Sequence, residues 1–388
     1  MGPENTIGIE LKLLYITAQS FPAPKASTVQ VMQMCAAFAT SGIEVKLVAC
    51  APETGQLSST ELRRYYDVPE NFEIRQYRRA RGPRASDRFQ LRALWRERTE
   101  AGLCYTRGRD VTAPLPALML GMSACVEVHT PPASMRERWS LRLVRAHPRG
   151  RLVMLTESLR AHYASGLSFG ENHLVVAPDG VDLSRFNPTL PASEARKRLG
   201  MGAGPWVVYI GGLYRGRGLA TLFRAVDDSP HQTMIVGGRT DAEITEWQNR
   251  ARAAGNDKVH FVGYQSPAQV PMYLAAADIL VMPYEEAIMT PSGENTAAWA
   301  SPLKMFEYMA AARPIVATDL PIVRGVLRAE HNALLVPQGD ANALRAALQR
   351  LFASPELGQR LAANARADVE KHSWEARARH ILASVGAN

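Results

Sequence analysis

The sequence predicts an α/β protein made of two Rossmann-like, doubly wound parallel-sheet units, and three observations carry that prediction. Short apolar runs alternate with helix-period stretches along nearly the whole chain, beginning with residues 11–17, 29–41 and 44–50. The length of 388 residues exceeds what one ordinary core accommodates. A stretch rich in Pro, Gly and polar residues, 187–204, divides the series, and a fresh apolar run restarts at Trp206. The expected layout is a first domain over 1–186, a linker over 187–204, a second domain over 205–372, and a final helix over 373–388 that returns to the first.

Taken in order, the first strand (11–17) runs into the loop QSFPAPKAST, which holds Ser27 and Thr28. A helix over 29–41 ends at Gly42, and 44–50 is the second strand. The first loop lies at the carboxyl edge, where such sheets bind ligands, but it has no glycine fingerprint, so a dinucleotide is not expected there. An arginine-rich segment without an assigned element follows. A strand over 103–106 ends in Arg107-Gly108-Arg109, and a helix covers 111–122. The strand 124–129 closes on His129, where Thr130-Pro131-Pro132 forces an exposed turn. Helices over 136–144 and 157–165 and strands over 152–156 and 174–177 lead to PDGVDLSRF.

The second half repeats the pattern. Strand 206–210 opens into a glycine loop, GGLYRGRG, followed by helix 219–226, strand 233–236, helix 242–254 and strand 260–262. Helix 267–276 leads to strand 279–282 and the long loop 283–300. Then comes SPLKMFEYMAAARPIVATDLP. Ser301 suits an N-cap and Pro302 the first helical position; Leu303, Phe306 and Ala310 form an apolar row, and Lys304, Glu307 and Tyr308 share the other face. A helix start with free N–H donors and a lysine in its first turn suits a diphosphate, although an ordinary capped helix with a wet charged face gives the same pattern. Arg313-Pro314 stops it before a buried strand, 315–317. A strand over 333–336 and helices over 341–352, 355–370 and 374–385 complete the chain.

Composition narrows the class. The chain is 46% hydrophobic and 21% charged, with no apolar run long enough to span a bilayer and no basic-then-apolar leader pattern. Cys35, Cys50, Cys104 and Cys125 are scattered without paired-ligand spacing, which indicates neither a zinc site nor a disulfide framework and suggests a reduced, cytoplasmic setting. From Arg63 to Arg109 thirteen arginines stand against six acids (Asp67, Glu70, Glu73, Asp87, Glu97, Glu100), an excess of seven within a net charge of +8. Such a block attracts phosphate-bearing surfaces, and without a helix-turn-helix, zinc-finger or aromatic RNA-binding signature nucleic acid is not expected. Peripheral contact with anionic membrane and an ordinary solvated basic face both account for it.

Four fragments in order resemble the GT-B glycosyltransferases, specifically the large retaining group that uses nucleotide-sugar donors (group 1, family 4). They are VVAPDGVDLSRF, VVYIGGLYRGRGLATLFRAV, HFVGYQSPAQVPMYLAAADILVMPY and the stretch from Ser301 to Pro321. The resemblance covers nearly the whole chain and is weakest over 56–98. It implies a donor site of Gly211, Gly212, Arg215, Arg217, Gly263, Tyr264, Ser301, Leu303, Lys304 and Glu307, for a UDP- or GDP-linked sugar, with no other cofactor and no metal. Glu307 matches the family's ribose-binding glutamate, and Arg217 the better of its two diphosphate cations, with Arg215 a substitute. His129 matches a histidine near the transferred sugar, so His129, Arg217 and Glu307 are the implied catalytic set. Arg107, Ser27 and Thr28 sit at the edge implied for the acceptor, a sugar, glycan or glycolipid. Tyr264 would line the base pocket.

The chain departs from the family at Trp299, where a sugar-contacting Glu is usual, and at Gly212, where a basic residue is usual. Glu294 is the nearest loop carboxylate. Ala312 stands where glycine is common. The resemblance implies retaining transfer to an acceptor hydroxyl by front-side attack, with no protein nucleophile. A nucleotide-sugar epimerase of the same fold, and a binding or scaffold protein with a decayed site, are the rival expectations.

Overall fold

The computed structural model describes residues 11–386 except 80, 188–189, 228, 290–292 and 294, so Glu294 lies outside the described residues. The chain divides into two compact units: one holds the residues up to Ala177 together with those from Glu375 onward, and the other is Pro178–Trp374.

In the first unit the strands are β1 (Lys12–Ser20), β2 (Glu44–Cys50), β3 (Glu73–Tyr77), β4 (Leu103–Arg107), β5 (Ser123–Val128), β6 (Gly150–Met154) and β7 (Leu174–Val176). They form a parallel sheet in the order β3-β2-β1-β4-β5-β6-β7. The chain walks outward to β3 and then jumps back to place β4 beside β1, with Leu13 opposite Leu103, so the winding reverses there. Right-handed crossovers send the helix Ala26–Thr40 to one face and Ala85–Glu97, Pro114–Met119 and Met135–Ala146 to the other. Alternate strand residues follow suit. Leu14 and Ile16 pack with Phe89, Ala93, Leu94 and Ala117, whereas Tyr15 lies 4.9 Å from Tyr105, which meets Phe38 edge-on. Burial of each such side chain stabilises by about 1.5–3 kcal/mol.

The second unit holds β8 (Trp206–Ile210), β9 (Gln232–Val236), β10 (Val259–Gly263), β11 (Ile279–Met282), β12 (Ile315–Thr318) and β13 (Leu334–Val336), in the parallel order β10-β9-β8-β11-β12-β13. Its winding reverses between β8 and β11. Val208 and Ile210 pack on Met305, Phe306 and Met309 of the helix Leu303–Ala310, while Val207 and Tyr209 face Leu222 and Phe223 of Leu219–Val226.

Several expectations need correction. The arginine-rich segment contains Ser59–Tyr66, β3 and Ala85–Glu97. Exposed Leu91 and Trp95 interleave with buried Phe89, Ala93 and Leu94, which blurred the helical period. Within the stretch read as a linker, Ala192–Leu199 is a helix of good helix formers closed by Gly200 in the left-handed region (φ 65°). Pro178 to Phe186, read with the first domain, clusters with the second unit: Asp179 N–H donates to Ser301 Oγ at 3.0 Å, and Val181 pairs with Ser373. Ser301 therefore does not cap the key helix; Pro302 is its N-cap and Leu303 its first residue. The face bearing Lys304 and Tyr308 is not wet either. Tyr308 is fully buried, its hydroxyl accepting from Ile210 N–H at 2.8 Å and lying 3.4 Å from Val281 O, so it spans the β8–β11 reversal.

Candidate active site

The second unit's site grows from the carboxyl end of β8. Gly211 has φ 146° and donates its N–H to Val236 O at 2.9 Å, carrying the β8–β9 pairing past the strand. A Cβ at Gly211 would collide with Lys304 Nζ, so the glycine makes room for that ammonium. Lys304, in the first turn of Leu303–Ala310, points its Nζ over the Tyr209 ring at 4.0 Å and lies 5.2 Å from the Tyr284 ring centre. This Nζ is shut from water and has no hydrogen-bond partner among the described residues. Burial, and then the Arg217 charge, push the lysine well below its ordinary pKa, with Glu307 pulling back.

Arg217 is the second cation here. Its guanidinium lies 5.0 Å from the Tyr284 ring centre and 5.8 Å from that of Tyr214, and its Nε has no partner among the described residues. The loop carrying it is held tightly. A Cβ at Gly218 would strike the carbonyl of Pro283, just beyond β11, while φ there is 72°. Arg215 is exposed, and its carbonyl accepts from Met289 N–H at 3.2 Å. Gly212 is half-buried beneath the Tyr214 ring, and its carbonyl accepts from Tyr209 OH at 2.7 Å.

One helical turn beyond Lys304, Glu307 Oε1 stands 4.0 Å from Arg185 of the PDGVDLSRF segment. Burial raises the Glu307 pKa, opposed by Arg185 and then Lys304. Arg185 also donates to Pro267 O, which fixes its position. Leu303 opens the helix half-buried, and Ser301 is committed to the Asp179 amide. Gly263 ends β10 and accepts the Gly237 N–H at 2.9 Å; Tyr264 next to it is exposed, two strands from Gly211. Trp299 is half-buried in the loop before the helix. The structure thus brings Gly211, Arg217, Lys304 and Glu307 to the β8–β11 reversal and leaves Arg215 on the surface.

At the end of β5 the first unit builds a different cluster. Glu127, with no exposure, accepts from Gln30 Nε2 (2.6 Å), His129 Nε2 (2.7 Å), Tyr105 OH (2.5 Å) and Arg377 (2.8 Å). Burial works against the ionised carboxylate, yet Arg377, His129 and Arg107 hold it well below the usual range. Arg107 donates to Gln30 and approaches His129 Nδ1 at 3.2 Å. An arginine can only donate, so Nδ1 accepts and the ring proton sits on Nε2, facing Glu127. Burial and the Arg107 charge push His129 down to about 4, against Glu127, which leaves a neutral imidazole at pH 7. Ser27 donates to Gln19 at 2.8 Å, whereas Thr28 is fully buried with its hydroxyl on Ala23 O and Lys25 O.

Arg185, Tyr209, Tyr284, Glu127 and Arg377 were not singled out from the sequence. Glu127 had a usable signal, since it stands two residues before His129 on one side of a strand end. Arg377 had none, being 250 residues away. Chemically, the second-unit arrangement offers an anion two buried cations and a helix start, with a carboxylate one turn further in. Among the described residues no group of three or more His, Cys, Asp or Glu side chains is placed to hold a metal ion.

Comparison with known proteins bears on the same region. Residues 204–354 match the family model for glycosyl transferases group 1. The phosphatidyl-myo-inositol mannosyltransferase of Mycobacterium leprae is 30% identical over 150 residues, 38% of this chain and 36% of that protein. The D-inositol 3-phosphate glycosyltransferase of an Arthrobacter species is 26% identical over 269 residues, 66% of this chain and 60% of that protein. The chain thus spans about a third to three fifths of the curated relatives it matches. HepE of Anabaena, solved with UDP and glucose, superposes with a TM-score of 0.73 at 14% identity, covering 97% of this chain and 100% of that one. WaaG, a glycosyltransferase involved in lipopolysaccharide biosynthesis, gives 0.69 at 14% identity over 97% and 100%. At that identity these structures establish the fold, the two Rossmann-like parallel-sheet units of GT-B glycosyltransferases.

Proposed function

We propose that the protein, whose residues 204–354 match the family model for glycosyl transferases group 1, transfers a sugar from a nucleoside-diphosphate donor to an acceptor hydroxyl, with retention at the anomeric carbon. The observation that carries this reading is Lys304 Nζ, buried and unpartnered beside Arg217 at the reversal of the second sheet. A buried ammonium without a partner is costly, and a diphosphate seated over Gly211 removes that cost. Departure of the nucleoside diphosphate develops negative charge that Lys304, Arg217 and the first N–H groups of Leu303–Ala310 stabilise from fixed positions. Glu307, steadied by Arg185, accepts from the ribose hydroxyls, a charge-assisted bond contributing about 1.5–3 kcal/mol. No protein nucleophile is invoked; the leaving phosphate takes the acceptor proton during front-side attack. His129, neutral and held by Glu127 and Arg107, offers a hydrogen bond to a sugar hydroxyl rather than acting as a general acid.

The acceptor is a sugar, glycan or glycolipid hydroxyl near Arg107 and Ser27. The excess of arginine between Arg63 and Arg109 supports salt-sensitive attraction to anionic membrane beside a lipid-linked acceptor, in a cytoplasmic setting. The similarity to a phosphatidyl-myo-inositol mannosyltransferase and a D-inositol 3-phosphate glycosyltransferase agrees with a phosphate-bearing acceptor. The test is calorimetric titration with UDP, GDP and their sugars, followed by a donor screen that reads release of free nucleoside diphosphate. Micromolar binding of one nucleotide is expected. No binding by any of them would leave a decayed site as the better account, and an isomerised sugar formed from donor alone would favour the epimerase.

A further inference from the structure

Eight large hydrophobic side chains are exposed among the described residues, and seven of them stand on one layer of the first unit. The winding of the sheet makes this layer: β3 to β4, β4 to β5 and β5 to β6 all advance in the same direction, so Ala85–Glu97, Pro114–Met119 and Met135–Ala146 lie side by side on one face. The first two share the core cluster of Leu14, Phe89, Leu94 and Ala117, and the last packs on β6.

On Ala85–Glu97 the outward residues are Leu91 (42% exposed) and Trp95 (60%). Pro114–Met119 ends in Met119 (88%), with Leu120 (46%) just past it. Met135–Ala146 carries Met135 (61%), Trp139 (57%) and Leu143 (59%) at four-residue spacing, one continuous stripe outside the Arg63 to Arg109 segment. The same three helices hold seven arginines (Arg88, Arg92, Arg96, Arg136, Arg138, Arg142, Arg145) and three acids (Asp87, Glu97, Glu137). Arg142 lies 5.4 Å from the Trp139 ring centre and Arg98, just past the first helix, 4.1 Å from that of Trp95. Tryptophan with arginine stacked on it, ringed by aliphatic side chains and few carboxylates, matches a headgroup boundary, where phosphates meet guanidinium and acyl chains meet the apolar tips.

We infer that the layer formed by Ala85–Glu97, Pro114–Met119 and Met135–Ala146 seats on the surface of an anionic bilayer, with the Met135–Trp139–Leu143 stripe entering the acyl boundary. The charge complementarity selects lipid as the occupant: a second copy of this face would oppose arginine to arginine. The inference deepens the proposed peripheral contact and rests on it, adding an apolar anchor that salt does not screen.

The test uses the full chain and sedimentation with vesicles of phosphatidylglycerol mixed with phosphatidylcholine, at low and high salt. Beside wild type stand Met135→Ser/Trp139→Ser/Leu143→Ser and Arg88→Gln/Arg92→Gln/Arg96→Gln, all at exposed positions whose folding is checked by thermal melting. Wild type is expected to sediment at low salt and to retain a bound fraction at high salt; the Ser variant is expected to lose at least tenfold in partitioning and all of the high-salt fraction. The Arg variant is expected to lose low-salt binding while UDP or GDP titrations stay unchanged. Equal partitioning of wild type and Ser variant overturns the anchor and leaves the electrostatic contact. No sedimentation of wild type at low salt overturns both, and unchanged nucleotide binding in that case keeps the transfer reading. A wild-type dimer in vesicle-free solution that the Ser variant makes monomeric overturns the bilayer as occupant and identifies a second copy instead.

Discussion

Glu127 in the first unit and Lys304 in the second are both ionisable groups sealed from water, and they are kept there in opposite ways. Glu127 accepts from four donors, including a buried arginine. Lys304 Nζ has two tyrosine ring faces and no acceptor among the described residues. A matched charge organises its surroundings; an unmatched one awaits a ligand of opposite sign. The difference separates the part of the molecule that holds a histidine still from the part proposed to take up an anion.

The largest expected effect breaks the matched side. Arg377→Met should cost about 3–5 kcal/mol in urea unfolding, because it strands a buried carboxylate. Removing the carboxylate as well, with Glu127→Gln, should recover much of it. A single-variant loss below about 1 kcal/mol would mean that the pair is not what keeps Glu127 ionised. On the unmatched side, Lys304→Met should leave stability equal or higher yet weaken nucleoside-diphosphate binding roughly a hundredfold, about 2.7 kcal/mol. If the variant binds as well as wild type, the anion sits elsewhere.

Proton linkage sharpens the contrast. Lys304 is depressed below its ordinary 10.5 in the free protein, and a bound diphosphate favours the ammonium. Binding therefore takes up a proton between the depressed value and 10.5, and affinity should fall by up to about tenfold per pH unit as pH rises through that window. Folding stability of the free protein should rise through the same window, since the unfolded chain binds the extra proton. Calorimetry in buffers of different ionisation enthalpy would expose the uptake; identical heats would dismiss it.

Smaller effects follow at the periphery of the site. Glu307→Gln should lower donor turnover about tenfold, roughly 1.4 kcal/mol, with the fold unchanged. Ala312, just past the key helix, has φ 52°, so Ala312→Gly should stabilise by about 1 kcal/mol in thermal melts. A destabilised glycine variant would show that the alanine methyl contributes more packing than its backbone strain costs.

The parallel sheets were legible because their strands are buried on both faces and read as unbroken apolar runs, such as 206–210 and 279–282. The segment from Ser59 to Glu97 was not, since its helices keep Leu91 and Trp95 outside and scatter arginine through the pattern. In the site, the helix start at Leu303 and the glycine loop drew attention to Lys304, Glu307 and Arg217. That Lys304 lies against Tyr209 and Tyr284 depends on strands brought together by the sheet, and no local window contains it. Ser301 misled for a similar reason: its hydroxyl serves an amide 122 residues earlier, not its own helix.

The Glu127–Arg377 pair also orders events during synthesis. Its partners are 250 residues apart, and the whole of Pro178–Trp374 is made between them. At roughly 5–20 residues per second a ribosome needs on the order of ten seconds to a minute to add Arg377 after Glu127. Through that interval the β5 carboxylate has no guanidinium from the final helix, and by its close the second unit has every residue it needs. Stalled chains ending before Glu375 should therefore show a protease-resistant second unit and a first unit still open to cleavage, the reverse of the order in which the two are written.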